Sequence, residues 1–297
     1  MLFRSCELFF MPLNTLNVGK LKFIISSLKG LNAKQLGVEL DRLCADQEPI
    51  SFYNYFFQAL DVRRKNILFM GPPGVGVGTC MRMVEPVLMI PSFRSKYLIQ
   101  KEMQQDTEFG QIAEKYVFRG ELIPDEYVIP KVMEVLHQPQ YRSGLIMDGF
   151  PRTIRQAEAL EQFAPIDIAI AFSMPKAIVV KKLTSRRACP HCNRSYILSA
   201  IHEGDIDLPA YPPKRPGICD DCGTPLVVRA DDNPKIIESR FDIFEERTKP
   251  VLEYYRAKNV LREHPIKKGV QDLPDILRSI LIQYLVKYNE KDRKSVV

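Results

Sequence analysis

Glycines and a threonine spaced like an anion-binding loop follow a short apolar run, Ile67–Met70. The run predicts a buried parallel strand. Glycine permits a tight turn whose successive backbone N–H groups can close around a phosphate. The candidate loop residues are Gly71, Gly74, Gly76, Gly78 and Thr79. A loop of this type needs a lysine that reaches the β- and γ-phosphates, but Val77 stands at that place.

An acid and an arginine lie just after a second apolar run, GLIMD, in the segment DGFPRT. An acid at the carboxyl end of a parallel strand, beside a phosphate loop, can hold a water molecule on Mg²⁺. An arginine shortly after it can bind a phosphate through two parallel hydrogen bonds from its guanidinium. Asp148 and Arg152 are therefore candidate catalytic residues.

The seven cysteines include two CxxC pairs, which together offer four thiolates in a tetrahedral arrangement. This pattern favours a structural zinc site in a reducing compartment over a set of disulfides, and free thiols are the alternative. The predicted ligands are Cys189, Cys192, Cys219 and Cys222. His191, inside the first pair, is interpreted as a bystander.

The elements that must position these residues alternate along the chain. Strands are predicted at 67–70, 143–148 and 166–173, and helices at 81–88, 96–103, 108–118, 129–136, 176–187 and 234–257. Strands that alternate with helices predict a parallel sheet covered on both faces. We therefore assign the chain to the α/β class.

These motifs resemble those of the adenylate kinases, whose loop reads GPPGSGKGT and whose second motif is DGFPRT with a glutamine three residues later. The resemblance covers about residues 65–285. It implies a P-loop nucleoside-monophosphate-kinase-like fold, a small zinc-binding lid at about 186–230, and binding of ATP and AMP with Mg²⁺. By resemblance, Arg152 binds the α-phosphate of AMP and Gln156 reads its adenine.

The lid of zinc-bearing adenylate kinases is framed by arginines and by the motifs PPK, G-x-C-D-x-C-G and R-x-D-D, all present here. The resemblance gives phosphate-binding roles to Arg186, Arg229 and Arg240. The spacer between the cysteine pairs, 26 residues at 193–218, is longer than is usual in the family. The extra length lies around 202–211, where it can alter lid docking or contact a partner.

Several functional positions of the family have changed. Besides Val77, the family segment STGDLLR aligns with residues 94–100, which places Lys96 at a glycine, Tyr97 at an aspartate near the Mg²⁺ waters and Gln100 at an AMP-phosphate arginine. Lys182 replaces the first lid arginine, which keeps the positive charge but loses the two parallel hydrogen bonds that a guanidinium can donate. Phosphoryl transfer depends on positioning and on neutralising charge, so these losses affect the mechanism itself.

The changes predict a catalytically impaired adenylate kinase-like protein that serves as a structural or nucleotide-binding accessory subunit of a larger assembly. Two alternatives stay open. One is an active kinase that transfers the γ-phosphoryl group of ATP to AMP, with Lys96 or Arg94 replacing a lost cation. The other is a module that binds ATP or AMP without chemistry.

The remaining segments flank this domain. The net charge of +6 is not concentrated in one block, which argues against a nucleic-acid partner. No apolar run approaches the ~20 residues of a membrane-spanning helix. Residues 1–64 form an extension whose basic start, 1–30, predicts a mitochondrial address, with the cytoplasm as the alternative. Residues 286–297 predict a charged, fraying tail.

An aromatic stripe lies in the second half of this extension, where one or two short amphipathic helices are predicted. Such a stripe packs either on the protein's own core or on a protein partner. The stripe consists of Phe52, Tyr53, Tyr55, Phe56 and Phe57. Protein partners are therefore predicted to bind through the N-terminal extension or the lid insertion.

Overall fold

A computed structural model describes residues 24–25, 27–28, 30–45, 48–60, 65–229 and 231–294. The strands are β1 (Asn66–Met70), β2 (Ser92–Arg94), β3 (Leu145–Asp148), β4 (Ile168–Ser173), β5 (Arg186–Ala188), β6 (Ser195–Ile197), β7 (Ile201–Glu203), β8 (Ile206–Leu208) and β9 (Leu261–Pro265). The helices are α1 (Ala33–Cys44), α2 (Pro49–Ala59), α3 (Val77–Leu88), α4 (Ser95–Gln104), α5 (Glu108–Val117), α6 (Asp125–Leu136), α7 (Ile154–Phe163), α8 (Lys176–Thr184), α9 (Pro234–Ile243), α10 (Lys249–Ala257) and α11 (Leu273–Lys294). A π-helical turn, Phe244–Thr248, joins α9 to α10.

The main sheet has five parallel strands in the order β2-β3-β1-β4-β9. Its inner strands are almost continuously apolar because helices cover both faces. Phe69 of β1 pairs with Asp148 of β3, and Asp148 pairs in turn with Arg94 of β2. The glycine loop after β1, Asp148 and Arg94 therefore meet at the carboxyl edge of the sheet, where α/β folds bind ligands.

Helices enclose the sheet in two apolar layers. One layer combines α1, α2, α3, α8 and α11 with one face of the sheet, and the other combines α5, α6, α7 and α10 with the opposite face. Residues of β1 divide between them, with Phe69 in the first layer and Leu68 in the second. The predicted α/β architecture, a parallel sheet between two helical layers, is confirmed.

The N-terminal helices pack on the chain's own C-terminal helix. A capping box at Asn32 begins α1, and Asp41 of α1 receives two hydrogen bonds from Arg278 of α11, of 2.6 and 2.7 Å. Tyr284 of α11 donates to the Leu60 carbonyl after α2, at 2.6 Å. Helices α1, α2 and α11 therefore cover the same face of the sheet.

Four of the five rings of the aromatic stripe on α2 are buried in this layer, and the fifth, Tyr55, packs partly buried against it. Phe52, Tyr53, Phe56 and Phe57 are 1 to 3% exposed. These rings contact the chain's own core, so they are not available to a partner. The predicted targeting segment falls almost wholly on residues 1–23, which lie outside the described residues, and the mitochondrial address stays a prediction.

The lid insertion forms the hairpin β7–β8, and it packs on the body of the protein. Gly204, with a φ of +61°, occupies the first central position of the two-residue turn, where glycine is favoured. Asp207 donates its backbone N–H to the Lys267 carbonyl at 2.8 Å, and Asp205 forms a salt bridge with the Lys267 side chain at 2.5 Å. Leu208 is 4% exposed and belongs to the main apolar core.

Three expectations from the sequence need correction. Strands β2 and β9 were not predicted, because they are edge strands, β2 has only three residues, and polar side chains interrupt β9. Helix α8 ends at Thr184, not at residue 187, because β5 pairs with β6 from Arg186 onward. The charged end of the chain continues α11 as a helix to Lys294.

Among the described helices, none combines the length and the apolar composition that crossing a bilayer requires.

We expect Leu208→Ala to destabilise the protein by about 2 to 4 kcal/mol, because it removes a buried side chain from the joint between the hairpin and the body. Leu198→Ala is a matched control in the lid, since Leu198 is 41% exposed, and it should change stability by less than about 0.5 kcal/mol. Urea unfolding of both variants checks this. Equal losses would contradict the docking of the hairpin.

Candidate active site

Close packing around the glycine loop explains why its residues are small. A Cβ at Gly71 would lie 2.8 Å from Val75 Cγ1 and 2.9 Å from the Phe172 carbonyl oxygen. A Cβ at Gly74, whose φ is +86°, would lie 2.6 Å from a methyl carbon of Leu183 in α8. The loop is therefore held between the sheet and α8. Its geometry suits an anion, because α3 begins at its end and the N-terminus of a helix favours negative charge.

The position where a lysine was expected faces the core. Val77 is the first residue of α3 and is 8% exposed, within the main apolar cluster. Gly78 has open space around it, and Thr79 donates its N–H to the Gly76 carbonyl at 2.9 Å. Arg82 of the same helix places a guanidinium nitrogen 3.4 Å from the Thr79 hydroxyl. Sequence reasoning did not single out Arg82, although helical spacing from Thr79 offers a signal for it.

A buried arginine lies beside Asp148. Arg94 is 8% exposed, and its Nε has no hydrogen-bond partner. Its Nη1 donates to the Tyr97 hydroxyl at 3.3 Å, and the guanidinium carbon lies 5.4 Å from the centre of the Tyr97 ring. Burial raises the pKa of Asp148, against the opposing effects of Arg152, Arg94 and Lys96. A positive charge on the neighbouring strand therefore acts on the acid that was predicted to hold a water on Mg²⁺.

Arg152 and Gln156 are ordered by the protein itself. The Arg152 Nε donates to the Gly149 carbonyl at 2.9 Å, which directs the guanidinium along the edge of the sheet. Gln156, 3% exposed, accepts from the Arg152 backbone N–H and donates to Asp125, both at 2.7 Å. Asp125 also accepts from Thr153, so it fixes the start of α7. Both the oxygen and the nitrogen of the Gln156 amide, which was predicted to bind adenine, therefore form hydrogen bonds within the protein.

Two aspartates hold Arg186 and Arg229 of the lid and Arg240 of α9, which follows it, and these three are called the lid arginines. Arg229 donates to Asp231 with Nε and Nη2, at 2.8 and 2.6 Å, and Arg240 reaches the same carboxylate at 2.6 Å. Arg186 pairs with Asp232 through Nε at 2.9 Å and through Nη2. Both aspartates belong to the R-x-D-D motif, and their part in orienting the cations was not predicted.

Two lysines complete the cluster of cations. The pKa of Lys96 is lowered to about 8, first by burial and then by Arg229, Arg186 and Arg240, against the opposing effect of Asp231. Lys96 therefore faces the lid arginines. Lys182 lies at the glycine loop, where its Nζ donates to the Val75 carbonyl at 3.0 Å. Its pKa is also lowered to about 8, first by burial and then by Arg186.

The four cysteine sulfurs converge in the lid and all lie within 4.8 Å of one another. The closest pairs are Cys189–Cys222 at 3.4 Å and Cys192–Cys219 at 3.5 Å, far longer than a disulfide bond. Tetrahedral thiolates around a metal at 2.3 Å would lie about 3.8 Å apart. The buried Tyr196 donates its hydroxyl to the Cys219 sulfur at 3.6 Å. The donor set therefore fits a divalent metal ion.

Comparison with known proteins agrees with this arrangement. The family model for adenylate kinase matches residues 69–260. The adenylate kinase of Archaeoglobus fulgidus is 36% identical over 220 residues, covering 72% of this chain and 95% of the relative. That of Moorella thermoacetica is 36% identical over 219 residues, with the same coverage, and that of Clostridium tetani is 35% identical over 201 residues, covering 66% and 88%.

The chain belongs to the adenylate kinase family.

Compared with the adenylate kinase motifs, the site has changed more at the edge of the sheet than at the lid. The lid half keeps Arg186, Arg229 and Arg240 and orders them with carboxylates. The half around the sheet edge has Val77 in place of a lysine and Tyr97 in place of an acid. Two cations near this half, Arg94 and Lys182, stand at motif positions where the family has a serine and the first lid arginine.

We expect the affinity for ADP to fall as the pH rises from 7.5 to 9.5. Lys96 and Lys182 lose their charge near pH 8 in the free protein, and a bound phosphate needs the charged forms. Each lysine that must take up a proton weakens binding by up to about tenfold per pH unit above its pKa. Calorimetric titration measures this, and Lys96→Met should flatten the curve. An affinity that stays constant over this range would contradict the assignment.

Proposed function

We propose that this adenylate kinase family member binds adenine nucleotides but is impaired in phosphoryl transfer, and that it works as an accessory subunit in a larger assembly. The binding half of the proposal is supported by the cations that face the glycine loop and the lid. They are Arg152, Arg186, Arg229, Arg240, Lys96 and Lys182. Under this proposal the loop from Gly71 to Thr79 holds the phosphates.

The observation that carries the impairment is the guanidinium of Arg94 beside Asp148. Magnesium in phosphoryl transfer neutralises charge on the phosphates and needs carboxylate or water oxygens around it. Here the position of the family's second acid is held by the phenol of Tyr97. The buried positive charge of Arg94 repels a magnesium ion. The donor set beside Asp148 does not fit a magnesium site. Transfer must therefore proceed without the charge neutralisation that a metal ion provides.

An active kinase is the second candidate, and one observation favours it. The lid arginines are already paired with Asp231 and Asp232 in an ordered arrangement, which is what transition-state stabilisation requires. Under this candidate, Arg186, Arg229 and Arg240 surround the moving phosphoryl group, while Arg152 binds the acceptor phosphate. The two candidates predict different turnover, so an assay of ADP formation separates them.

The accessory role requires an exposed contact surface. The aromatic stripe is buried, and the lid insertion is packed on the body. Val117 and Phe118, at the end of α5, are 41% and 75% exposed and offer an apolar surface for a protein partner. Co-purification of native protein with other subunits is the observation that this part of the proposal needs.

We expect ATP and AMP each to raise the melting temperature of the full chain, while ADP formation stays low. A variant that restores the family residues at four positions, with Val77→Lys, Arg94→Ser, Tyr97→Asp and Gln100→Arg, should form ADP at least about 10²-fold faster. Arg142→Ser, at an exposed arginine, is the matched control and should leave turnover unchanged. A coupled assay of ADP formation measures all three proteins.

Two results would count against this proposal. If the natural chain forms ADP as fast as the restored variant, the protein is an active kinase. If neither nucleotide raises the melting temperature of the natural chain, the binding half of the proposal fails.

We further propose that the four lid cysteines bind structural Zn²⁺, since four thiolates at these separations suit that ion. Metal analysis should find about one zinc per chain. Cys219→Ser should lose the metal and lower the melting temperature, while Cys44→Ser should keep it, because Cys44 lies outside the cluster. Zinc content that is unchanged in Cys219→Ser would refute the assignment.

A further inference from the structure

Lys182 reaches the glycine loop from the last turn of α8. Its Nζ donates to the Val75 carbonyl at 3.0 Å and lies 3.7 Å from the place of a Cβ on Gly76. The next residue, Leu183, packs so closely on Gly74 that a Cβ there would clash at 2.6 Å. Helix α8 is therefore held directly against the loop, and the ammonium group has a fixed position at it.

The charge of Lys182 is not balanced by a neighbouring carboxylate. Within the described chain, no Asp or Glu oxygen lies within 4.0 Å of its Nζ, and its hydrogen-bond acceptor is a carbonyl. Arg186 adds like charge, and Asp272 opposes it from a greater distance. A largely buried ammonium without an anion is costly, and an anionic ligand at the loop would supply the missing partner.

The neighbouring lysine shows that this placement is specific. Lys181 precedes Lys182 on α8, but it points outward and pairs with Glu203 of the hairpin β7–β8. Its side chain is 56% exposed. The two lysines have the same type and nearly the same position in the sequence, yet only Lys182 contacts the loop.

We propose that Lys182 supplies the cation for polyphosphate bound in the glycine loop, in place of the lysine that the loop lacks at Val77. This inference rests on the proposed nucleotide binding. The ligand class is a nucleoside di- or triphosphate, whose terminal phosphates lie in the loop. The ammonium would bridge the Val75 carbonyl and a phosphate oxygen, so that α8 and the lid that follows it are linked to the bound phosphates.

The alternative is that Lys182 only stabilises the conformation of the loop. An ammonium that donates to a loop carbonyl can fix the backbone with no ligand present. In that case its removal lowers the stability of the loop and weakens every ligand of the domain, including AMP, by a similar factor. A cation that binds polyphosphate acts selectively on ATP and on inorganic tripolyphosphate.

The test measures affinities of the full chain for ATP, inorganic tripolyphosphate and AMP by calorimetric titration. Lys182→Met should lower the affinity for ATP and for tripolyphosphate by about 10- to 100-fold, which is the loss expected for a charge-assisted hydrogen bond. The affinity for AMP should fall by less than about threefold. Lys181→Met should change none of them by more than about twofold. Adding Val77→Lys to Lys182→Met should recover most of the lost ATP affinity.

The outcomes separate this inference from the proposal on which it rests. If the natural chain binds ATP and Lys182→Met binds it equally well, the role of Lys182 is refuted while nucleotide binding stands. If Lys182→Met has a lower melting temperature and its affinities for AMP and ATP fall by a similar factor, the residue only stabilises the loop. If the natural chain binds neither ATP nor tripolyphosphate, both proposals fail.

Discussion

Crowding of positive charge at the carboxyl edge of the sheet is the constraint that shapes this molecule. Two like charges 4 Å apart repel by about 4 kcal/mol even at the dielectric typical near a protein surface, so such a cluster needs anions among its members. Asp231 lies between Arg229 and Arg240, and Asp232 holds Arg186. These carboxylates orient the lid cations but leave the cations at the loop without equivalent partners. A phosphate-rich ligand is the chemistry that completes such a site.

The hairpin β7–β8 determines how the lid is held over this cluster. Its apolar side chains enter the main core, and both its backbone and its acids bind residues near Lys267 on the body. The lid therefore has contacts with the body that do not depend on a bound nucleotide. An insertion packed in this way favours a preorganised site over one that assembles only when the ligand closes it, and preorganisation reduces the entropy lost on binding.

The family and the fold could be predicted from the sequence because their signals are local. A glycine loop after an apolar strand, an acid at the end of the next strand and two CxxC pairs each need only a few consecutive residues. The four cysteines are brought together as that pattern predicted. The aromatic stripe was ambiguous, since burial at 1 to 3% exposure depends on α11, which lies more than two hundred residues away along the chain.

The chemistry of the site was harder to predict because it depends on distances between elements. Nothing in KKLTSRR shows that Lys182 and not Lys181 reaches the Val75 carbonyl, since this follows from how α8 packs on Gly74. Arg94 was considered as a replacement for a lost arginine, whereas its pairing in β2 places it beside Asp148. Strand β2 was itself not predicted, so this pairing could not be read from the sequence. Tertiary packing decided what these residues can contact.

The central claim is that nucleotide phosphates bind here to cations that lie outside the glycine loop, with no metal ion beside Asp148. A crystal structure of the full chain grown with ATP and Mg²⁺ tests it most directly. We predict the terminal phosphates in the glycine loop, with the Lys182 Nζ within hydrogen-bond distance of a phosphate oxygen and Arg94 still beside Asp148. A hydrated Mg²⁺ held by Asp148, with Lys182 withdrawn from the loop, would contradict it.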